Sequence, residues 1–185
     1  MTQGVDLYFM GLCNEFNTLL VSSKTKLKEF IEQCWYETYT EQLGAELTHE
    51  MVSTLDDDSL GGLLSAEDVN VIVYMEKNKI RGSCMYAIRH GFIYIWGVYV
   101  SGTSQRSGIG RAMIEFIANE SEQNRILQVI VLEVSKGAID FYTSMGFTTK
   151  GKMDYEIVKG AKYPALIMVI NSDDLKKHRF KEGEI

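Results

Sequence analysis

Residues Ser104–Phe116 read SQRSGIGRAMIEF, a glycine-bearing turn that leads into apolar residues at helical spacing. The preceding stretch, Phe92–Val100, is rich in β-branched and aromatic residues and predicts a β-strand. A strand that enters a helix through such a turn leaves the first N–H groups of the helix without partners inside it, at the positive end of the helix dipole. This stretch therefore predicts a β-strand, a glycine-bearing turn and an α-helix, in that order.

The composition of the turn permits two interpretations. Gly108 and Gly110 let a ligand approach the backbone without Cβ atoms in the way, and Arg106 and Arg111 can add charged contacts to phosphate oxygens. Glycine is also common in strand-to-helix turns that bind nothing. Because the GxxxxGK[ST] phosphate loop is absent, the turn alone leaves both a phosphate site and a structural turn open.

The rest of the chain predicts a mixed α/β fold. Helical spacing predicts helices at Thr25–Leu43, from Thr48 as an N-cap, at Gly108–Gln123 and at Gly137–Met145. Strand composition predicts strands at Thr18–Val21, Val69–Met75, Ile80–Ile88, Phe92–Val100, Ile126–Val134, Thr148–Val158 and Ala165–Ile170. The acids, serines and glycines of Asp56–Asp68 predict a mobile surface connection. Phe92–Val100 and Ile126–Val134 should be parallel neighbours joined by a right-handed crossover.

Length and composition limit the classes of protein to which the chain can belong. At 185 residues, with 45% hydrophobic residues and a single proline, we expect one domain spanning residues 1–185. There is no run of about 18 apolar residues and no basic leader at the N-terminus, so we expect a cytoplasmic protein without a membrane partner. A net charge of −6 argues against a nucleic-acid partner. The cysteines form no CxxC pair and no zinc pattern, so we expect reduced thiols and no metal at Cys13, Cys34 and Cys84.

Two short motifs resemble those of one enzyme family. Gln105–Gly110 matches the [Q/R]xxGx[G/A] signature of the GNAT superfamily of acetyl-CoA-dependent N-acetyltransferases, and Phe141–Phe147, which reads FYTSMGF, matches the FYxxxGF element of the same family. The order of the predicted helices and strands is similar to that of the family as well. The resemblance implies the GNAT fold, a mixed central sheet of about six or seven strands flanked by about four helices, with a splay between the two central parallel strands.

The resemblance also implies a binding site for acetyl-CoA as co-substrate. The pyrophosphate would contact the amides of the signature turn, and the pantetheine arm would lie along the strand edge at Val98–Val100 in the manner of strand addition. The residues implied in cofactor binding are Val98, Tyr99, Val100, Gln105, Arg106, Ser107, Gly108, Ile109, Gly110, Arg111, Ser135 and Tyr142. Ser135 stands where many relatives carry an asparagine that contacts the cofactor, and a helix N-cap is the alternative role.

The catalytic residues are implied less completely. Tyr142 matches the tyrosine of the family that protonates the departing thiolate, and a core tyrosine on an apolar helix face is the alternative. The positions that carry an acid or a histidine in relatives correspond to Tyr94 and Trp96, and neither side chain is a base at neutral pH. Glu133 is the candidate base, with an ordinary strand carboxylate as the alternative. Deprotonation relayed by water would need no single side chain.

The family resemblance predicts an N-acetyltransferase in which a primary amine attacks the thioester directly in a ternary complex. In the family the acceptor lies between the first two helices and the last strand pair, here Tyr36–Asp58 and Asp154–Tyr163. The acidic residues Glu37, Glu41, Glu46, Glu50 and Asp56–Asp58 could attract a cationic amine, and a solvated face is the alternative.

Three alternatives to this function stay open. The chain could be a non-catalytic module that binds or senses acyl-CoA, because Tyr94 and Trp96 replace the usual bases. It could use a larger acyl donor such as succinyl-CoA. A route through an acetylated Cys84 is the third alternative. A small-molecule or peptide amine is the expected partner, and a homodimer is an open alternative because the family often forms dimers.

Overall fold

The computed structural model of this chain describes residues 7–12, 21–56, 59–64, 66–121 and 124–175, with side chains from residue 24 onward. The chain divides into two compact units. The first unit comprises Met1–Ala87 and Trp96–Met113, and the second comprises Ile88–Ile95 and Ile114–Ile185. The single domain expected from the sequence stays a prediction.

The described part of the chain contains seven strands and four α-helices. In chain order they are β1 (Leu7–Leu12), α1 (Val21–Leu43), α2 (Ala45–Ser53), β2 (Asn70–Glu76), β3 (Lys79–Arg89), β4 (Phe92–Val100), α3 (Ile109–Glu120), β5 (Ile126–Leu132), α4 (Lys136–Ser144), β6 (Thr148–Val158) and β7 (Ala161–Asn171). A 3₁₀ turn at Gly102–Ser104 precedes α3, and residues 172–175 form a further helical turn. The predicted mixed α/β fold is confirmed.

The sheet of the first unit has the hydrogen-bonded order β1-β2-β3-β4. Strands β2 and β3 form an antiparallel hairpin, and Lys77 and Asn78 form its turn with φ angles of 48° and 63°. Two consecutive left-handed residues give a turn whose twist matches that of the strands. The pairing with β2 holds β3 in place, and α3 packs against β3.

Within the first unit, α3 packs directly against Gly82 on β3. A Cβ atom at Gly82 would lie 2.7 Å from Cγ2 of Ile109 and 3.2 Å from Cε of Met113. Both side chains belong to the apolar face of α3 and are buried. The missing side chain therefore lets the helix that follows the signature turn approach the sheet closely, which places the N-terminus of that helix.

Two predicted element starts are wrong. α2 begins at Ala45, after Gly44 with φ 89°, so Thr48 lies inside the helix instead of capping it. The buried Thr48 hydroxyl donates a hydrogen bond to the carbonyl of Gly44 at 2.8 Å, which is the back-bonding typical of threonine within a helix. Val21 begins α1 and is not part of a strand, and residues 18–20 of that predicted strand lie outside the described residues.

The prediction of a surface connection at Asp56–Asp68 is also wrong in part. Leu60 is 0% exposed and Leu64 is 5% exposed, so this segment adds two side chains to the core. The carboxylate of Asp56 accepts a hydrogen bond from the Ser59 hydroxyl at 2.7 Å, which closes a compact turn. The acids and glycines of the sequence predict the turn, but they do not predict which leucines it buries.

The second unit contains the sheet order β4-β5-β7-β6. β4 and β5 are parallel and pair from Phe92↔Ile126 to Ile95↔Val129, which confirms the predicted neighbours. β5 and β7 are antiparallel, and so are β6 and β7. The buried residues of this unit come from alternating strand positions and from the helices, and they include Leu127, Val129, Val131, Met168, Ile170, Ile114, Ile117 and Met145.

Candidate cofactor-binding site

The signature turn connects β4 to α3 within the first unit and contains two left-handed residues. Arg106 has φ 61° and Gly108 has φ 87°. Left-handed residues between ordinary ones orient successive N–H groups toward one point, which is the arrangement of an anion-binding nest. For arginine this conformation is uncommon, and such backbone strain clusters at binding sites.

The N-terminus of α3 presents backbone donors at this turn. The first hydrogen bond inside the helix runs from the Ala112 N–H to the Gly108 carbonyl at 2.9 Å. The N–H groups of Ile109 and Gly110 precede that bond and have no acceptor in the turn before them. A Cβ atom added to Gly108 would meet no described atom within 4 Å beyond its chain neighbours, as is also true of Gly91, so nothing described blocks the approach to this residue. These features fit a phosphate or pyrophosphate group.

Three contacts hold the turn within the first unit. Ser101 N–H donates to the carbonyl of Arg81 at 2.9 Å, which keeps the end of β4 beside β3. The Gln105 side chain donates through Nε2 to the carbonyl of Val100 at 3.4 Å, so the signature glutamine supports the backbone. The N–H of Gly102 donates to Oε2 of Glu37 on α1 at 3.0 Å.

Ser101 adds a polar atom that the sequence does not reveal. Its side chain is 4% exposed, and its Oγ has no hydrogen-bond partner among the described residues. The buried hydroxyl of Ser83 on β3 also has no partner among the described residues, so this property does not by itself mark Ser101 as a ligand contact. The position of Ser101 between β4 and the 3₁₀ turn makes it a further polar group at the start of the signature.

The end of β4 is exposed in part at the residues implied in pantetheine binding. The ladder between β4 and β5 stops at Ile95↔Val129, whereas β4 continues to Val100. Val98–Val100 thus lie beyond the last parallel pair of β4, and the splay expected from the family resemblance stays a prediction. The ring of Tyr99 lies over Gly97, whose Cβ would be 2.8 Å from Tyr99 Cε2, and it contacts the Trp35 ring edge to face at 6.4 Å.

Tyr142 lies on α4 in the second unit and is 7% exposed. Its ring contacts those of Phe141 and Phe147 in edge-to-face geometry, at centroid distances of 5.0 Å and 5.2 Å. The three aromatic residues of the FYxxxGF element therefore form one cluster that fixes the tyrosine ring. Its role as general acid stays a prediction.

Ser135 also lies in the second unit, directly before α4. It is the N-cap residue by position and is 6% exposed, but its side chain makes no capping hydrogen bond. Its carbonyl accepts the N–H groups of Ala138 and Ile139, both at 3.1 Å. The backbone of Ser135 thus starts the helix, and a contact of its hydroxyl with the cofactor stays a prediction.

The positions considered for a catalytic base all have partners. Tyr94 stacks on Phe92 with a centroid distance of 5.7 Å, and Trp96 Nε1 donates to the carbonyl of Leu63 at 3.0 Å. The carboxylate of Glu133 forms an ion pair with Lys152 Nζ at 2.7 Å within the second unit. The role of Glu133 as a base stays a prediction. If Glu133 accepts the amine proton, it does so while its carboxylate is paired with Lys152.

The described cysteines lie in the first unit and are buried. Burial raises the pKa of Cys34 to about 12, and the nearby charge of Glu37 adds to the shift. Burial also raises the pKa of Cys84, which is 0% exposed. Both thiols are therefore protonated at neutral pH and are poor nucleophiles. Cys13 lies outside the described residues.

α1 and α2 bring together the side chains of Tyr36 and His49, to which the sequence gives no specific role. The Tyr36 hydroxyl lies 2.9 Å from Nδ1 of His49 in an exposed hydrogen bond. Tyr36 is 40% exposed, and the acidic residues Glu41, Glu46 and Glu50 on the same two helices are exposed as well. Tyr36 and His49 are 13 residues apart and lie on different helices, so no local sequence pattern predicts this hydrogen bond.

The described residues contain neither a membrane-spanning helix nor a metal-binding cluster. None of the helices in these ranges is long and apolar enough to cross a bilayer. Within the same ranges, no group of three His, Cys, Asp or Glu side chains could hold a metal ion.

Solved structures share the fold. The PaiA N-acetyltransferase of Thermoplasma acidophilum, crystallised with coenzyme A, superposes with a TM-score of 0.67 at 13% identity, covering 91% of this chain and 99% of that one. YncA of Salmonella typhimurium, solved with acetyl-CoA, superposes with a TM-score of 0.58 at 15% identity, covering 92% of this chain and 95% of that one. At such identities the likeness concerns the fold.

Sequence comparison found a curated relative and a matching family model. The UPF0157 protein YqkA of Bacillus subtilis (strain 168) is 28% identical over 74 residues, which are 40% of this chain and 22% of that protein. The match thus spans about a fifth of the curated relative. The family model of the acetyltransferase (GNAT) domain matches residues 20–158, which include both motifs and most of the elements described above. The chain therefore belongs to the GNAT family of acetyltransferases.

Proposed function

We propose that the chain is an N-acetyltransferase that moves the acetyl group of acetyl-CoA to a primary amine by direct attack. The observation that carries the proposal is the signature turn. The left-handed Arg106 and Gly108, the unblocked approach to Gly108 and the N-terminus of α3 support an anion site at this turn in the first unit. Family membership explains why this anion would be the pyrophosphate of coenzyme A.

The proposed cofactor contacts use the backbone more than side chains. The N–H groups of Ile109 and Gly110 would bind pyrophosphate oxygens, and the exposed Arg106 would add its charge. The backbone of Val98–Val100, beyond the last parallel pair, would bind the amides of pantetheine as an added strand. The buried Ser101 hydroxyl, which has no partner among the described residues, is a further candidate donor.

The reaction requires one bond to form and one to break. The neutral amine nitrogen bonds to the thioester carbonyl carbon, the C–S bond breaks, and the sulfur takes a proton. A backbone N–H in Val98–Val100 would polarise the carbonyl, and Tyr142 would supply the proton to the sulfur. The amine proton would leave to water or to Glu133.

The direct mechanism is favoured over an acetylated cysteine. Cys84 is 0% exposed, and burial raises its pKa, so it offers neither access nor thiolate. An acetyl-cysteine intermediate would need both properties. A ternary complex needs only that the acceptor reaches the thioester.

A module that binds acyl-CoA without turnover is the second candidate function. The observation that favours it is that Trp96, at one usual base position, donates its N–H to the Leu63 carbonyl and serves the structure of the chain. Binding of coenzyme A with no acetylated product from any acceptor would support this alternative.

The experiment that tests the proposal has two steps. Isothermal titration with coenzyme A measures binding, and a panel of amines with acetyl-CoA, read out by the free thiol released, measures turnover. The panel should contain small amines, polyamines, amino acids, aminoglycosides and peptides with free N-termini, and succinyl-CoA should replace acetyl-CoA in a parallel series. Gly108→Trp is the control, because an indole there would fill the open space above the turn. If the wild-type chain fails to bind coenzyme A, the proposal is wrong.

We also propose the cytoplasm as the location, since acetyl-CoA must be available, and a homodimer as the assembly. Cell fractionation tests the location. Sedimentation velocity over a range of concentrations tests the assembly, and a monomer at all concentrations would contradict it.

A further inference from the structure

Glu37 on α1 contacts the backbone at the corner between β4 and the signature turn. Its Oε2 accepts the N–H of Gly102 at 3.0 Å, and its Oε1 accepts Nε2 of Gln33 at 2.7 Å. The partner in the turn is 65 residues away in sequence. One carboxylate thus connects a helix outside both family motifs to the first residue of the 3₁₀ turn.

The corner at Gly102 joins the two parts of the proposed cofactor site in the first unit. On one side of it lies the β4 edge at Val98–Val100, and on the other lies the turn that ends at Gly110. Coenzyme A would need both parts at a set distance, since its pantetheine and pyrophosphate are covalently joined. A contact that restrains the corner therefore reduces the conformational entropy lost when the ligand binds.

Gly102 has no side chain, and this matches the contact. A Cβ atom at Gly102 would lie 3.0 Å from Oε2 of Glu37, which is closer than most Cβ contacts. Gly102 does not have a positive φ, so its backbone would accept alanine. A Cβ atom at Gly102 would therefore make the carboxylate of Glu37 move by a few tenths of an ångström, whereas the turn conformation itself does not require glycine.

We propose that Glu37 is a positioning residue for cofactor binding: by accepting the Gly102 N–H, it holds the β4 edge and the signature turn in the arrangement that a coenzyme A ligand spans. It acts through the backbone and does not touch the cofactor. This inference rests on the proposed function, because it assumes that the turn binds coenzyme A.

The test compares variants at both ends of the hydrogen bond. Glu37→Ala removes the acceptor, Glu37→Gln keeps an oxygen that can accept the same N–H, and Gly102→Ala pushes the acceptor away. Glu29→Ala is the matched control, because it removes an exposed glutamate from the same helix about two turns before Glu37. Isothermal titration gives the Kd for coenzyme A and for pantetheine, which lacks the pyrophosphate, and thermal unfolding monitors the fold.

We expect Glu37→Ala to bind coenzyme A about tenfold more weakly, equivalent to about 1.4 kcal/mol, and pantetheine with less than about a threefold change. Glu37→Gln and Glu29→Ala should stay within about twofold of the wild type for both ligands. A role limited to stability would lower the thermal midpoint without changing the ratio of the two Kd values.

A double-mutant cycle supplies the second measurement. Gly102→Ala should weaken coenzyme A binding in the wild-type background and have no further effect in Glu37→Ala, because the atom it displaces is then absent. Should Glu37→Ala fail to fold, Gly102→Ala alone tests the contact and must weaken binding.

The inference is overturned if Glu37→Ala binds coenzyme A like the wild type, if Glu37→Gln loses as much affinity as Glu37→Ala, or if the two substitutions are additive. Absence of binding by the wild-type chain is a different outcome, which refutes the proposed function itself.

Discussion

Gly108→Ala separates the two roles of the signature glycine, its backbone conformation and the space above it. Gly108 has φ 87°, and an added Cβ would meet no protein atom within 4 Å. Gly91, in the turn between β3 and β4, provides a matched control, because it has φ 84° and its added Cβ would also meet nothing. The two substitutions impose the same backbone strain, but only one places a methyl group where the proposed pyrophosphate binds.

The magnitudes follow from these geometries. A left-handed conformation costs a residue with a Cβ about 1–2 kcal/mol, so both variants should lose that much free energy of unfolding. For a chain of this length that corresponds to a fall in thermal midpoint of about 2–8 °C. A methyl group within the nest also displaces the anion from the N–H groups, and we expect Gly108→Ala to weaken coenzyme A binding by at least about tenfold, or about 1.4 kcal/mol.

The assays are thermal unfolding and isothermal titration with coenzyme A, carried out on both variants and the wild type. Gly91→Ala should show the fall in midpoint with an unchanged Kd. The reasoning is refuted if both variants bind coenzyme A equally well, since the turn would then be structural, or if both lose affinity equally, since strain alone would explain the loss.

Three further predictions address the general acid, the packing of α3 against Gly82 and the reactivity of the buried thiols. Tyr142→Phe should keep the affinity for coenzyme A and lower turnover; unchanged turnover in steady-state assays would exclude the general acid. Gly82→Ala should destabilise the fold by about 1–3 kcal/mol in denaturant unfolding, because its Cβ overlaps α3, whereas Gly137→Ala, whose Cβ is open, should not. Cys34 and Cys84 should resist iodoacetamide at pH 8 in the folded chain, since burial raises the pKa of each thiol. Stability should fall as pH rises from about 9 toward 12, where only the unfolded chain releases these protons. Peptide mapping that finds rapid native labelling of either cysteine would contradict the thiol prediction.

Much of the fold could be predicted because its signals are local. Runs rich in β-branched and aromatic residues placed β2, β3 and β4 within one residue of their observed ends. Element starts were harder, because Thr48 has the composition of an N-cap but lies within α2, bonded back to Gly44. Capping preferences describe a residue type, whereas the surrounding packing determines which position it occupies.

The candidate site was predictable in part for the same reason. The turn at Gln105–Gly110 is a contiguous motif, and its glycine and arginine content indicates an anion. The contact of Gly102 with Glu37 and the hydrogen bond of Tyr36 with His49 join residues that are distant in sequence. Nothing in the composition of α1 distinguishes Glu37 from the other exposed glutamates of that helix.

The sequence by itself determined the order of the elements from α1 onward, the glycine turn before α3 and the aromatic element at Phe141–Phe147, because each depends on neighbouring residues. Only the tertiary structure decided which carboxylate supports the corner at Gly102, which hydroxyls, those of Ser83 and Ser101, are buried without a partner among the described residues, and which glycine of β3 lets α3 pack closely. These are contacts between elements, and their energies depend on distances that the folded chain alone sets.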